Sequence, residues 1–243
     1  MKILMISPSY GLKIGGAENQ LNKLYKRLIA NNEVKISSKK SEKCSDFLYP
    51  INYLFKIFLR IILNQFHIIH IHTFSSPAWF ISLSNLLLNK IIIIKITLSG
   101  KNSRLEKIKK NNFYKILFKI FFVLKKIYFV AINRNIKKDL MEIGIKRENI
   151  INIPNGVEVR TKNIKKNKNI DLIFFGRLIK RKKLMELIEI INNNKLFKIK
   201  FVIYGEGPES KYLNNYIKKN QIKNIFIKKF ISNSSIIKKL QYS

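Results

Sequence analysis

The sequence predicts an α/β protein made of two Rossmann-like, doubly wound domains, and three observations lead to this fold class. Short apolar runs alternate with amphipathic segments of helical period along the 243 residues, a pattern typical of parallel sheets with helical crossovers. Glycine is scarce, with nine residues, yet it recurs directly after predicted strands. The same order of strand, glycine turn and helix begins again after a Lys- and Asn-rich segment at 158–169, which we interpret as a linker.

Residues 1–160 are predicted to form the amino-terminal domain. The segment 17–30 repeats leucines at helical spacing, whereas 90–98 is an almost unbroken isoleucine run typical of a buried parallel strand. Gly144 marks the end of a short helix. The polar residues 31–46 are expected to be a loop. The other predicted strands are 2–7, 66–72, 127–132 and 150–153, and the other predicted helices are 47–63, 77–88, 104–126 and 135–143.

Residues 161–243 are predicted to form a second domain of the same type. Its strands are expected at 171–175, 198–204 and 224–227, and its helices at 183–193, 209–219 and 233–240. Doubly wound sheets usually contain more than three strands. We therefore expect the second domain to be incomplete in this sequence.

The formal net charge of +34 indicates either solvated lysine faces or an anionic partner. Only eight of the 48 basic residues are arginine, and lysine, isoleucine and asparagine are enriched together, which favours a general compositional bias. If the charge does serve a partner, an anionic membrane surface is favoured over nucleic acid.

The single cysteine, Cys44, excludes a disulfide within the chain and is typical of a reducing compartment. The first ten residues lack the apolar length and small-residue cleavage site of a secretory signal. The longest apolar stretches, 47–63 and 113–132, are interrupted by Lys and Arg. We expect a cytoplasmic protein that is either soluble or peripheral on the inner face of the cell membrane.

Glycine turns between a strand and a helix are typical anion sites, because the free N–H groups and the helix dipole favour a phosphate. Gly15 and Gly16 form one such turn, and Gly176 opens another, so we expect a nucleotide cleft that involves both domains. Arg177 and Lys182 could clamp a diphosphate there. They could equally be part of a solvated basic run.

Several segments taken together resemble the retaining, nucleotide-sugar-dependent glycosyltransferases of the GT-B fold, the group 1 or family-4-like set. They span nearly the whole chain in the family's order. The segments are GGAE at 15–18, FHIIHIH at 66–72, TLSG at 97–100, the run through PNGVE at 131–158, IFFGRLIKRKKL at 173–184 and FVIYGEGPESKYL at 201–213.

The resemblance implies transfer of a sugar from a nucleotide-diphospho-sugar to a saccharide or lipid-linked acceptor, in cell-surface polysaccharide synthesis. It implies no cofactor besides this co-substrate, and no metal. By resemblance, the donor diphosphate is held by Gly15, Gly16, Arg177 and Lys182, and the nucleoside lies near Glu206, Phe230 and Ile231. The further cleft candidates are Glu18, His72, Ser99 and Asn155.

Three departures from the family's pattern concern the reaction itself. Ser99 stands where family members commonly have a histidine, and Lys183 stands where a glycine usually follows the clamp lysine. The family's glutamate pair lies downstream of a segment like 224–243, where this sequence ends. The catalytic group therefore stays unassigned, and the alternatives are an inactive remnant or a basic nucleic-acid-binding protein, although recognition motifs of the latter class are lacking.

Two further features bear on ligands. Strand alternation predicts that His70 and His72 share one face and His67 the other, which favours a structural or cleft-rim role over a metal site. The predicted helix 104–126 combines lysines with phenylalanines, as interfacial helices do, so it could rest on anionic lipid or simply be a core helix with solvated lysines. The phenylalanines are Phe113, Phe118, Phe121 and Phe122.

Overall fold

The computed structural model describes residues 1–7, 16–38, 49–72, 74, 76–100, 103–122, 126–156, 170–231 and 235–236. The chain divides into two compact units, residues 1–157 and 158–243. Each unit contains a parallel sheet with helical crossovers, which confirms the predicted α/β fold class.

Unit 1 contains a six-stranded parallel sheet with the strand order β2-β1-β3-β4-β5-β6. Its strands are β1 (Lys2–Ile6), β2 (Glu33–Ser37), β3 (Ile68–Ile71), β4 (Ile91–Ile96), β5 (Ile127–Ala131) and β6 (Ile150–Asn152). Its helices are α1 (Gly16–Leu28), α2 (Tyr49–Asn64), α3 (Ser76–Leu88), α4 (Arg104–Lys110), α5 (Asn112–Phe122) and α6 (Arg134–Glu142). The strand order reverses between β1 and β3, which is where ligands of such sheets bind, beyond the carboxyl ends of the strands.

The two faces of this sheet are covered unequally. Helices α2 to α6 pack on one face, around a core that includes Leu4, Ile69, Ile94 and Phe129. Helix α1 packs on the other face against β1, where Leu21 meets Ile3 and Met5. This arrangement follows from the right-handed crossovers, because only the β1–α1–β2 unit runs in the opposite direction along the sheet.

Unit 2 contains a three-stranded parallel sheet, β7 (Leu172–Phe175), β8 (Phe201–Tyr204) and β9 (Ile225–Lys228), in that order. Helices α7 (Leu184–Asn193) and α8 (Ser210–Lys219) follow β7 and β8. Both helices contribute to one core together with the buried faces of the three strands. The predicted helix 233–240 lies largely outside the described residues.

Two predictions of local structure were wrong. Residues 33–37 form β2 instead of a loop, since Val34 and Ile36 pack beside β1 in parallel register. The predicted helix 104–126 is two helices separated at Asn111. The extended backbone of Asn111 (φ −125°, ψ 112°) ends α4, and its side-chain oxygen accepts a hydrogen bond from the Tyr114 amide at 3.2 Å, which starts α5.

Lys109 joins α4 to α6. Its ammonium lies 3.0 Å from Asp139 and 2.7 Å from Glu142, and 3.6 Å from Glu106 on its own helix. The hydrogen bonds to Glu142 and Asp139 raise the pKa of Lys109, and the same contact lowers the pKa of Glu142. The pair therefore remains charged over the whole neutral range.

Candidate functional site

The candidate donor site of unit 2 lies where its three strands end. Backbone hydrogen bonds hold these ends together: the Gly176 amide donates to the Tyr204 carbonyl at 3.1 Å, and the Leu178 amide donates to the Glu206 carbonyl at 3.0 Å. The Gly205 amide donates to the Lys228 carbonyl at 3.0 Å. The ring of Tyr204 stacks on Phe175 at 5.3 Å. The turns at Gly176 and Gly205 thus form one continuous edge.

At positions 205 and 207, neighbouring backbone lies so close that only glycine fits. A Cβ atom at position 205 would lie 1.9 Å from the Gly176 carbonyl oxygen, and one at position 207 would lie 2.2 Å from the Leu178 carbonyl oxygen. No side chain fits in such a space. At these two positions the need for glycine comes from the fold of unit 2 itself.

Arg177 and Lys182 both lie on the loop between β7 and α7 and are exposed. Within the described part of the chain, neither side chain has an ion pair or a hydrogen bond, so both are available to an anion. The 3-10 turn that ends at Lys182 also contains Lys180 and Arg181. Both are exposed, and neither side chain has an ion pair or a hydrogen bond among the described residues. The structure therefore supports a cationic loop at this edge, and the choice of Arg177 and Lys182 stays a prediction.

Lys183 occupies a conformation that glycine prefers. Its φ of 54° and ψ of 33° lie in the left-handed region, directly before the first residue of α7. Its ammonium pairs with Glu186 at 2.9 Å, one turn into the helix. With Lys180, Glu209 and Tyr212, it lines a cavity of about 340 Å³ between this turn and α8. This left-handed backbone explains why a glycine is usual at this place in the family that the sequence resembles.

The residues predicted for the nucleoside side lie at the same edge. Glu206 directly follows Gly205, and its side chain is exposed. Phe230 and Ile231 follow the end of β9, and Phe230 is 43% exposed. Since β8 lies between β7 and β9, these residues flank the cationic loop on one side. Their contact with a nucleoside stays a prediction.

In unit 1, Gly15 lies outside the described residues, whereas Gly16 is the first residue of α1. Nothing lies within 4 Å of the position that a Cβ atom at Gly16 would occupy. The described chain therefore does not itself require glycine here, unlike at Gly205. Glu18 lies in the first turn of the same helix and is partly buried.

His70 and His72 do share one face of the sheet, as the alternation predicts, and their rings lie 5.7 Å apart in an edge arrangement. Both are buried, and His72 directly follows β3. Burial, followed by the nearby His72 and Lys95, lowers the pKa of His70 to about 3. His70 is therefore neutral at physiological pH. His67 lies before β3, where its Nδ1 accepts a hydrogen bond from the Lys2 amide at 3.0 Å.

The sequence reasoning missed two residues that hold the Pro154–Gly156 turn. The Lys95 ammonium donates to the Asn155 side-chain oxygen at 2.8 Å, and the side-chain Nε2 of Gln20 donates to the Gly156 carbonyl at 2.9 Å. Burial lowers the pKa of Lys95. A lysine inside the isoleucine run of β4 was the signal that could have revealed this contact. Asn155 thus has a structural partner, and Ser99, beyond the end of β4, is partly buried.

The surface of α5 is apolar on its outer side. Phe113, Ile116 and Ile120 are exposed by 58–65%, whereas Phe118 and Phe122 are fully buried. Of the four phenylalanines considered for a lipid contact, only Phe113 is thus fully on the surface. The other exposed apolar side chains of α5 are isoleucines. Among the described residues, no helix has the length and apolarity needed to cross a bilayer.

The sequence matches a known protein family in its second half. Residues 157–243 match the model for glycosyl transferases group 1. This segment contains the cationic loop, both of the constrained glycines and the predicted nucleoside side. No curated protein matches the sequence.

Solved structures match the fold over almost the whole chain. The Anabaena protein Alr3699/HepE, crystallised with UDP-glucose, has a TM-score of 0.67 at 14% identity, with 96% of this chain and 70% of that chain covered. The lipopolysaccharide outer core galactosyltransferase WaaB, in its apo form, has a TM-score of 0.61 at 14% identity, with coverage of 100% and 72%. WaaG, a glycosyltransferase involved in lipopolysaccharide biosynthesis, has a TM-score of 0.66 at 11% identity, with coverage of 97% and 72%.

These likenesses in fold agree with the family match and with the order of the strand-end turns. Residues 157–243 thus match the group 1 glycosyl transferase model, and nearly the whole chain shares the GT-B fold of solved glycosyltransferases.

Proposed function

We propose that this protein transfers a sugar, with retention of anomeric configuration and without a metal, from a nucleotide-diphospho-sugar to a saccharide or lipid-linked acceptor. The reaction would serve cell-surface polysaccharide synthesis on the cytoplasmic side of the membrane. The related Anabaena structure contains UDP-glucose, so UDP-sugars are the first donors to test.

One observation carries this proposal: Arg177 and Lys182, which have no partner among the residues that the structure describes, lie on the β7–α7 loop within the segment that matches the family. In the reaction, the diphosphate leaves with the electron pair of the bond to the anomeric carbon. Arg177 can bind two diphosphate oxygens through its planar fork, and Lys182 can add a point charge. Cations that oppose the developing negative charge lower the barrier of such a step.

A second proposal concerns the amino-terminal end of α1 in unit 1. We propose that Gly16, together with Gly15, lets the backbone N–H groups approach the diphosphate. Nothing in the described chain lies within 4 Å of the Cβ position of Gly16, so the space beside its backbone is open to a ligand. Glu18, His72, Ser99 and Asn155 stay candidates for the cleft around the reacting sugar.

We further propose that the protein attaches peripherally to anionic membrane through α5 and the adjoining α3. Helix α3 contacts α5, and its Leu83, Leu86 and Leu87 are exposed, as is Lys119 of α5. Such a combination of apolar area and basic charge binds anionic lipid surfaces. It would bring a lipid-linked acceptor to unit 1.

Isothermal titration calorimetry tests the donor site. Arg177→Ala and Lys182→Ala should each weaken UDP or GDP binding about tenfold or more, because a hydrogen bond to a charged group contributes about 1.5–3 kcal/mol. Arg181→Ala, which removes the same charge from the same loop, should have a much smaller effect. Folded Arg177→Ala and Lys182→Ala proteins with the wild-type affinity would refute the assignment. Tight, salt-sensitive binding of a DNA oligonucleotide without nucleotide binding would favour the nucleic-acid alternative.

Product analysis tests the reaction. Nuclear magnetic resonance should show the donor's anomeric configuration in the product, and excess chelator should leave the rate unchanged. Vesicle sedimentation tests the membrane contact: Ile116→Ser with Ile120→Ser should reduce binding to phosphatidylglycerol vesicles. The matched control Phe197→Ser removes an apolar side chain that is 65% exposed in unit 2, and it should bind the vesicles normally.

A further inference from the structure

A groove with a volume of about 730 Å³ lies between α3, α4 and α5 of unit 1. Its volume is in the range of sites that hold small ligands. Most of its wall is apolar and largely aromatic, formed by Phe74, Trp79, Phe80, Ile108, Leu117 and Phe121. The segment 104–126, which the sequence predicted as one helix with a possible lipid contact, supplies the groove residues of α4 and α5.

The aromatic wall is a firmly packed surface. The ring of Trp79 lies 4.9 Å from Phe122, 5.6 Å from Phe121 and 6.0 Å from Phe118, all in edge arrangements. Such contacts fix the indole between the two helices. The part of the wall that stays open is therefore a preformed apolar surface, and it favours an apolar ligand.

Two cations stand at the mouth of the groove. Arg104 and Lys107 line it from α4, one helical turn apart, and both are exposed. Neither has a partner among the described residues, whereas Lys109 and Lys110 of the same helix pair with Glu106. Arg104 and Lys107 thus offer several N–H donors to one anion at the edge of an apolar wall.

Part of the groove's lining comes from residues that follow the carboxyl ends of strands. The residues that it takes from α3 lie at or just before the first turns of that helix, directly after the end of β3. Arg104 and Lys107 lie in the first turns of α4, which follows β4 and the loop with Ser99. Ligands of doubly wound sheets bind beyond such carboxyl ends.

We propose that this groove binds the apolar chain of a lipid-linked acceptor, with the adjacent phosphate on Arg104 and Lys107. The inference rests on the proposed function, because it assigns a site to the acceptor of that reaction. The apolar chain of the acceptor lies along Trp79 and Leu117, and the acceptor's phosphate accepts hydrogen bonds from Arg104 and Lys107. The acceptor is thus an amphiphile with one apolar chain and an anionic group beside it.

Fluorescence tests this assignment directly, since Trp79 is the single tryptophan of the sequence. Dodecyl phosphate, titrated below its critical micelle concentration, should shift the emission saturably. Methyl phosphate and dodecyltrimethylammonium should bind at least tenfold more weakly, because each lacks one of the two recognised parts. The double variant Arg104→Ala and Lys107→Ala should bind dodecyl phosphate about tenfold more weakly, and Leu117→Gln should weaken it severalfold.

A control with the same loss of charge is Lys218→Ala with Lys219→Ala on α8, and it should bind dodecyl phosphate normally. The inference is overturned if dodecyl phosphate leaves the emission unchanged, if the Arg104 and Lys107 double variant binds it as tightly as the wild type, or if methyl phosphate binds equally well. Calorimetry with UDP on the same proteins separates the two proposals. Normal UDP binding without dodecyl phosphate binding refutes this groove alone, and the reverse result refutes the donor site alone.

Discussion

Replacing Gly205 with alanine should destabilise unit 2 by about 4 kcal/mol. The new Cβ atom would lie 1.9 Å from the Gly176 carbonyl oxygen, whereas ordinary contacts begin near 3.4 Å. The loop after β7 would therefore have to move away by roughly 1.5 Å. Shifts of this kind, which follow when an interior is overpacked, cost about 1–3 kcal/mol. That retreat stretches the hydrogen bonds of Gly176 and Leu178 to the end of β8, each worth about 0.5–1.5 kcal/mol.

Urea denaturation followed by two probes can measure this loss. Far-ultraviolet circular dichroism reports both units, whereas fluorescence reports unit 1 alone, because Trp79 is the only tryptophan. Gly205→Ala should lower the dichroism midpoint of unit 2 and leave the fluorescence midpoint in place. Gly156→Ala is the control, since nothing lies within 4 Å of its Cβ position, and it should change stability by less than about 0.5 kcal/mol. A dichroism curve for Gly205→Ala that coincides with the wild type would refute the steric argument.

Three further predictions concern the pH dependence of stability, the backbone strain at Lys183 and the role of Gly16. As the pH is lowered from 6.5 to 3, the free energy of unfolding of unit 1 should fall by up to about 1.4 kcal/mol per pH unit. The reason is that the pKa of His70 is lowered from 6.5 to about 3 in the folded protein, so in this range only the unfolded state takes up the proton. Fluorescence-monitored denaturation should show this slope in the wild type and in His67→Asn, and a reduced slope in His70→Phe. Lys183→Gly should stabilise unit 2 by about 0.5–1 kcal/mol and so raise its dichroism midpoint, because glycine adopts the left-handed conformation of this residue without strain. An unchanged or lower midpoint would contradict this. Gly16→Ala should leave stability unchanged within about 0.5 kcal/mol yet weaken UDP binding at least tenfold in calorimetry, and normal affinity would refute its role as a ligand glycine.

Apolar periodicity predicted the parallel fold because the signal is long and regular. The isoleucines of β4 alternate between the main core and the opposite face, and Gly144 ends α6 with a φ of 104° as its position after the helix suggests. The short strand β2 was missed because its apolar pattern rests on Val34 and Ile36 alone. The break at Asn111 was missed because both flanking segments continue in helical period, and the break depends on one side-chain cap.

The candidate site was predicted less completely than the fold. Gly176, Gly205 and Gly207 revealed the strand-end edge, since scarce glycine marks special backbone positions. The sequence could not tell that Gly205 serves backbone packing whereas Gly16 faces open space, because that distinction depends on contacts between distant segments. Lys95 is conspicuous within the isoleucine run of β4, but its partner Asn155 lies 60 positions away, so a local pattern does not identify the pair.

The contacts of Lys109 affect how this protein behaves in solution. One ammonium engages Glu106, Asp139 and Glu142, three of only 14 acidic residues in a chain with 48 basic ones. Basic residues strongly outnumber acidic ones over the rest of the chain, and their repulsion keeps molecules apart at low ionic strength. Salt shortens this repulsion to about 8 Å near 0.15 M, comparable to the dimensions of an exposed side chain. Added salt should therefore promote self-association through the exposed apolar side of α5, the reverse of the salting-in behaviour common among soluble proteins.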